Sequence, residues 1–245
     1  MTQIIAILII AAAAGFVQTV IGFGFSIVAL PFIVMFLPLQ QSVAIMSIIG
    51  VLCYIRVVWL LRAHIDFKIV YIPLTASIVG RLIGIQFLFG AKTEYIKILL
   101  GFCLIALAIY FTFYKEKVKV KYNVKNGLTF GFISGIFAGM FNIGGPPIVL
   151  YYMAGNLSKE KYMATLQLFF TMTTLFSAFL HAIYGNIKVT TLAFSGIGFA
   201  GVFIGGILGS LVYNKMNLKT FNYAVYVFLV VSGIYTVVNS IMIII

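Results

Sequence analysis

Long apolar stretches joined by short polar links are the feature that most constrains this chain of 245 residues. About 20 apolar residues in helical form cross a hydrocarbon core of roughly 30 Å. Only 8% of the residues are charged, 63% are hydrophobic and the mean hydropathy is +1.19. These values exclude an ordinary soluble domain and predict an all-α integral membrane protein.

The apolar segments occur in the same order twice. Each half begins with a long segment that glycine and proline interrupt, and three uninterrupted segments follow. The first half is predicted over residues 1–114, with a hairpin at 3–37 and helices at 41–61, 69–90 and 95–114. A basic link at 115–126 precedes the second half at 127–245, with a hairpin at 127–154 and helices at 162–184, 189–213 and 219–245.

A comparison of the two halves indicates an internal duplication. Shifting the sequence by 116 residues superposes five identical residues within 17 positions, from Gly15 on Gly131 to Pro31 on Pro147. Repeats of this kind are common in membrane transporters. The sequence therefore predicts two structural repeats.

The distribution of basic residues in the links distinguishes between two topologies. If each interrupted segment crosses the membrane once, the link Lys and Arg residues divide 8 against 6. If each enters and returns as a hairpin, 11 residues lie on one side and 3 (Lys92, Lys97 and Lys188) on the other. The hairpin topology obeys the positive-inside rule, because basic residues then collect on the cytoplasmic side.

The hairpin topology makes the second repeat inverted relative to the first, because each half then has an odd number of full crossings. Two arms of about 16 residues would reach only roughly 24 Å each, which favours re-entrant or short half-helices. The predicted location is a bacterial or archaeal cytoplasmic membrane, with multiple passes, the 115–126 link in the cytoplasm and both termini outside.

A reporter fused after Ile245 tests this topology. We expect activity from a reporter that functions only outside the cytoplasm. A fusion that is active in the cytoplasm would overturn the assignment of the termini.

The two interruptions are candidate binding sites. Backbone that leaves the helix at membrane depth needs protein or water to satisfy its polar groups. A new helix is expected after each interruption, with Ser26 or Asn142 near its N-cap and proline in its first turn. The residues that produce the breaks are Gly22, Gly24, Pro31, Pro146 and Pro147.

A helix N-terminus has free N–H donors and partial positive charge, so two of them meeting near the midplane would bind an anion. The predicted donors are Ser26, Asn142, Gly144 and Gly145, and the predicted polar lining is Gln18, Thr19 and Gln167. Other glycines recur every four residues, which favours close helix packing instead. They are Gly80 and Gly84, then Gly131, Gly135 and Gly139, then Gly201, Gly205 and Gly209.

Arg81 lies near the middle of the 69–90 segment, too deep for its side chain to reach either interface easily. A central charge in a membrane segment is costly and is normally paired or functional. All four acidic residues lie in links, so none offers Arg81 a buried carboxylate: Asp66, Glu94, Glu116 and Glu160. Arg81 is therefore expected either to contact an anionic substrate or to bond to backbone carbonyls.

The sequence does not contain the residues that other functional classes would need. The basic excess of +12 is explained by topology, so nucleic acid is not a predicted partner. Cys53 and Cys103 have no neighbouring ligands in the sequence, and no metal or cofactor is predicted. No carboxylate pair, histidine cluster or activated nucleophile accompanies the breaks, so an enzyme is not expected.

The two interrupted segments resemble those of the TauE/SafE sulfite exporter-like permeases. The resemblance rests on Gly15-Phe16, Gly22-Phe23-Gly24-Phe25-Ser26 and Pro31 in the first half. In the second half it rests on Gly131-Phe132, Gly135, Gly139 and Asn142-Ile143-Gly144-Gly145-Pro146-Pro147. It implies transport of sulfite or organosulfonates across the bacterial cytoplasmic membrane.

The leading hypothesis is a secondary permease for a small sulfur-containing oxyanion. The anion would bind between the two hairpin tips near the membrane midplane, with Arg81 as its counter-charge, and the lipid bilayer would be the other partner. The alternatives are a non-transporting membrane subunit or chaperone, or a permease for a different small anion.

Overall fold

The computed structural model describes residues 2–21, 24–114, 120–213 and 217–244. These residues form helices and no strand, which confirms the all-α prediction. The helices are α1 (Thr2–Ile21), α2 (Phe25–Ile33), α3 (Leu39–Leu60), α4 (Phe67–Gly90), α5 (Thr93–Ile109), α6 (Val124–Phe141), α7 (Gly145–Met153), α8 (Lys159–Ile183), α9 (Val189–Tyr213) and α10 (Leu218–Ile244).

Seven helices of the described chain are long and apolar enough to cross a membrane. They are α1, α3, α4, α5 with the π-helical turn Tyr110–Tyr114, α8, α9 and α10. Large apolar side chains cover their outer faces; Trp59, for example, is 67% exposed. Such surfaces are stable in lipid and not in water, so the chain is a multi-pass membrane protein.

Each interrupted segment forms a long helix followed by a short one. α1 has 20 residues and α6 has 18, whereas α2 and α7 have 9 each. At 1.5 Å per residue the first arms are about 30 and 27 Å long and the second arms about 14 Å. Arms of about 16 residues each were expected, and this detail is wrong because α2 ends at Ile33, before the predicted end of its segment, and α6 begins at Val124, before the predicted start of its segment.

The chain divides into two compact units, and each contains segments from both predicted halves. Unit 1 comprises Met1–Ser42, Phe89–Val118 and Gly196–Ile245. Unit 2 comprises Val43–Leu88 and Lys119–Ser195. The first hairpin thus belongs to unit 1 and the second hairpin to unit 2.

In unit 1, α1 packs against α9 through residues without bulky side chains. A Cβ atom at Gly205 would overlap the backbone of Ala12, and one at Gly15 would lie 2.6 Å from the carbonyl oxygen of Val202. α5 and α10 pack in the same way, since a Cβ at Gly101 would lie 2.6 Å from the carbonyl oxygen of Gly233.

In unit 2, α4 and α6 pack backbone to backbone. A Cβ at Gly80 would overlap the carbonyl of Phe132, and one at Gly135 would overlap the carbonyl of Ser77. A Cβ at Gly139 would lie 2.5 Å from the carbonyl oxygen of Arg81. The prediction that these glycines allow close helix packing is confirmed.

Replacing Gly135 with valine tests this packing. We expect Gly135→Val to destabilise the folded protein by about 3 kcal/mol or more, because the added side chain forces α4 and α6 apart. The measurement is the midpoint of unfolding of the purified protein in detergent.

The matched control is Gly196→Val, because Gly196 also lies in a membrane helix and has no atom within 4 Å of its Cβ position. We expect its unfolding midpoint to stay close to that of the wild type. Equal effects of the two substitutions would contradict the packing assignment.

Candidate functional site

The second break lies between α6 and α7 in unit 2. α6 ends at Asn142, whose φ of 55° is left-handed and whose N–H donates to the carbonyl of Ala138 at 2.9 Å. Gly144 is the N-cap of α7, and proline occupies the first turn of that helix. The expectation for Pro146 and Pro147 is confirmed, whereas Asn142 caps the end of α6 and not the start of α7.

Gly144 is required at this break because of its close contacts. The Ser134 hydroxyl of α6 donates to the Gly144 carbonyl at 2.6 Å. A Cβ at Gly144 would lie 2.8 Å from both the Cβ of Ala138 and the carbonyl oxygen of Ser134. Since prolines carry no N–H, the donors that the first turn of α7 can present to a ligand are the N–H groups of Gly144 and Gly145.

The first break, in unit 1, satisfies more of its own polar groups. Gly24, with a φ of 108°, is the N-cap of α2, and Ser26 is buried two residues later. The Phe25 N–H donates to the side-chain oxygen of Gln18 at 3.1 Å, and the Thr19 hydroxyl donates to the Gly15 carbonyl at 2.9 Å. Gln18 of α1 therefore holds the start of α2, whereas the Thr19 bond lies within α1.

The other two residues predicted to produce breaks in the first half are Pro31 and Gly22. Pro31 lies inside α2 and is buried. Gly22 lies outside the described residues, as does most of the basic part of the 115–126 link.

Arg81 is buried in α4 without a hydrogen-bonding partner for two of its nitrogens. Its side chain is 3% exposed, and Nε and Nη1 have no partner among the described residues. One helical turn away, the fully buried hydroxyl of Ser77 also has none. Bonding of these two nitrogens to backbone carbonyls, the structural alternative for Arg81, is therefore not observed.

A buried polar stripe runs along α8. Its members share one side of the helix, at spacings of three or four residues: Gln167, Thr171, Thr174, Ser177 and His181. The stripe is about 21 Å long at 1.5 Å per residue. The side-chain oxygens of Gln167 and Ser177 have no partner among the described residues.

Contacts with α3 relate the stripe to Arg81. Thr174 lies against Gly50, and the rings of Phe170 and Tyr54 are 5.4 Å apart between centroids. The charge of Arg81 acts on both Tyr54 and His181, so both side chains lie within electrostatic range of the guanidinium. Tyr54 of α3 and His181 of α8 are thus titratable neighbours of the buried Arg81 of α4.

The acidic residues of the described chain lie away from this cation in the sequence, in links or first helical turns. Asp66 pairs with Lys161 at 2.8 Å, and this hydrogen bond is the main reason why the pKa of Asp66 is lowered. Glu94 and Glu160 lie in the first turns of α5 and α8. Glu116 lies outside the described residues, so none of the three described carboxylates is central in a membrane helix.

Five of the eight predicted ligand residues belong to unit 2: Arg81, Asn142, Gly144, Gly145 and Gln167. The other three, Gln18, Thr19 and Ser26, belong to unit 1.

Sequence reasoning missed Ser77, Thr174 and Ser177. The signal was present in α8, because hydroxyl residues recur there at the spacing of one helix face.

No three His, Cys, Asp or Glu side chains of the described chain come close enough together to hold a metal ion. Cys53 and Cys103 are free thiols in different units. The polar groups of the candidate site are therefore hydroxyls, amides, backbone N–H groups and one guanidinium, which suit an oxyanion.

Apolar helices that span the membrane, broken hairpins and a buried cation together characterise a multi-pass membrane protein with an internal polar site. Residues 7–236, nearly the whole chain, match the family model for the sulfite exporter TauE/SafE. The chain belongs to this family, which confirms the resemblance based on the motifs. It is thus a member of a family of anion-permease-type membrane transporters. No curated protein and no solved structure matches the chain.

The hydroxyl of Ser134 offers a test of the second break. We expect Ser134→Ala to destabilise the protein by about 1 kcal/mol, because the buried Gly144 carbonyl loses its donor. Hydrogen exchange of the amides in α7 should become faster, since the bond holds the start of that helix.

Thr129→Ala is the matched control, because the exposed Thr129 hydroxyl of α6 bonds only to the carbonyl of Lys125 in its own helix. This variant should leave exchange in α7 unchanged. If Ser134→Ala also leaves it unchanged, Ser134 does not hold the break.

Proposed function

We propose that this protein is a secondary permease for a small sulfur-containing oxyanion, sulfite or an organosulfonate. The proposed binding site lies within unit 2, with Arg81 as the counter-charge of the anion. The observation that carries the proposal is the burial of Arg81 in a membrane-spanning helix with Nε and Nη1 unpartnered in the described chain.

The energetic argument starts from the cost of the buried charge. An ionised group in low dielectric costs several kcal/mol unless an opposite charge or hydrogen bonds compensate for it. Arginine stays protonated even when buried, so loss of the proton does not remove this cost. An anion that brings its own charge and oxygen acceptors would satisfy both requirements.

The guanidinium suits this class of ligand. Its planar array of N–H donors matches two oxygens of one oxyanion, which a point charge such as lysine does not. Sulfite and sulfonates present three oxygens on one sulfur, so one or two oxygens remain for neighbouring hydroxyl groups. Ser77 and Ser177, whose buried hydroxyls have no partner in the described chain, are candidates for these contacts.

The second break supplies further donors in the same unit. A Cβ at Gly139 would meet the backbone of α4 at Arg81, and α6 ends three residues later, at Asn142. The N–H groups of Gly144 and Gly145 begin α7 and carry the partial positive charge of a helix N-terminus. We assign Asn142, Gly144 and Gly145 to the anion site on this basis.

The polar stripe on α8 provides a path. Hydroxyl and amide groups that replace water around a passing anion lower the cost of its transfer through a membrane. The stripe from Gln167 to His181 covers about 21 Å, two thirds of a typical hydrocarbon core. The sequence also predicts Gln18, Thr19 and Ser26 as ligands, but they belong to unit 1 and are not part of the site proposed in unit 2.

Flux into proteoliposomes tests the proposal. We expect Arg81→Ala to reduce uptake of sulfite and methanesulfonate by about 100-fold or more, because the anion loses the buried counter-charge that the described membrane helices of unit 2 offer it. Asn142→Ala should reduce uptake less strongly, because it removes a neutral donor.

Arg56→Ala is the matched control, because Arg56 is the other arginine within a membrane helix and its side chain is exposed. It should transport like the wild type. Unchanged flux in folded Arg81→Ala and Asn142→Ala proteins would overturn the proposed site. Absence of flux in the wild type, with no stabilisation by any anion, would favour the non-transporting subunit instead.

A further inference from the structure

The number of buried charges in unit 2 constrains the charge of the ligand. The charged residues of this unit lie in links or near helix ends, with the exception of Arg81. Arg56, four residues before the end of α3, is exposed. The described membrane-spanning part of unit 2 therefore contains one buried positive charge and no negative charge.

The titratable groups that face Arg81 add no further charge. From α3 the neighbour is Tyr54, and from α8 it is His181. The side-chain nitrogen of Asn186 lies 3.1 Å from Nδ1 of His181. An amide nitrogen only donates, so in this contact Nδ1 is the acceptor, which is the role of a neutral imidazole. α6 contributes no titratable side chain after Lys125, which is exposed.

We infer that the site accepts monoanions, namely hydrogen sulfite and alkylsulfonates, and rejects the dianions sulfite and sulfate. This inference rests on the proposed function and names the charge class of its substrate. A monoanion neutralises Arg81, whereas a dianion would leave a full negative charge in low dielectric.

The neutral hydrogen-bond donors of the site do not compensate for the second negative charge of a dianion. A helix N-terminus is equivalent to about half an elementary charge, and its effect falls off within the first turn. Hydroxyl groups contribute dipoles and no net charge. The size of the ligand does not separate the two classes either, since methanesulfonate and sulfate have similar shapes.

Selection of the monoanion would couple the transport of sulfite to the movement of a proton. Hydrogen sulfite and sulfite interconvert near neutral pH by loss of one proton. A site that selects the monoanion moves that proton together with sulfur, and no carboxylate relay in the protein is needed. Alkylsulfonates remain monoanions throughout this pH range, so their binding should not depend on pH.

Equilibrium binding to the purified full chain in detergent tests the inference, with methanesulfonate, sulfate and sulfite as probes. We expect methanesulfonate to bind about 100-fold more tightly than sulfate or better. Above the second pKa of sulfurous acid, the apparent Kd of sulfite should rise about tenfold for each pH unit, because the monoanion becomes scarce.

Methanesulfonate is the control for titration of the protein. Its Kd should stay constant over the same pH range, which attributes the sulfite effect to the ligand. If methanesulfonate binding weakens in parallel with sulfite binding, a protein group titrates and the inference is wrong.

Variants separate this inference from the proposed function. Arg81→Gln should lose binding of every probe, whereas Arg56→Gln should keep the wild-type order. Arg81→Lys keeps one charge, so it should bind more weakly and still prefer methanesulfonate to sulfate.

Failure of the monoanion inference and failure of the permease proposal would give different results. Sulfate binding as tightly as methanesulfonate in an Arg81-dependent way would overturn the monoanion inference and leave the permease proposal standing. Failure of all three probes to bind the folded wild-type protein would overturn both.

Discussion

Close backbone contact between α4 and α6 determines where the polar groups of unit 2 lie. Lipid provides no hydrophobic force between helices, so association depends on close packing of small residues. Gly131, Gly135 and Gly139 bring α6 onto the backbone of α4, and the last of these contacts is at Arg81. α6 ends within one further turn, at Asn142. The same packing that stabilises unit 2 therefore positions the arginine within one turn of the second break.

Some buried hydroxyl groups of the described chain donate to carbonyls of their own helix in both units, as Thr171 of unit 2 does to Gln167, and others have no partner. In unit 1, Thr236 and Ser240 donate to carbonyls one turn earlier in α10, as helix hydroxyls commonly do in membranes. In unit 2, Ser77 and Ser177 are fully buried, yet their hydroxyls have no partner in the described chain. A buried polar atom without a partner is costly, and Ser77 and Ser177 belong to the same unit as Arg81, which is why the site is proposed in unit 2.

Much of this arrangement was predictable from the sequence, and the failures have specific causes. The helical class, the interruptions and the depth of Arg81 follow from hydropathy and from glycine and proline positions. The expected arm length of about 16 residues was wrong although the breaks lie where the glycines and prolines predicted them, because α2 ends at Ile33, before the predicted end of its segment, and α6 begins at Val124, before the predicted start of its segment. The α8 stripe was missed because hydroxyl residues are also ordinary interior residues of membrane helices.

The sequence by itself determined that the chain is a membrane protein and that two of its apolar segments are interrupted. It also determined that one arginine lies near the middle of a membrane-spanning segment without an acidic residue beside it. These properties depend on residue type and on distance along one helix. Tertiary structure alone decided that α1 packs on α9 and α6 on α4, so that the first arm of each hairpin pairs with a helix from the other half of the chain. It also decided that Tyr54 of α3 and His181 of α8 lie within electrostatic range of Arg81. Glycines that face outward to lipid and glycines that face another helix have the same spacing, and only the packed structure distinguishes them.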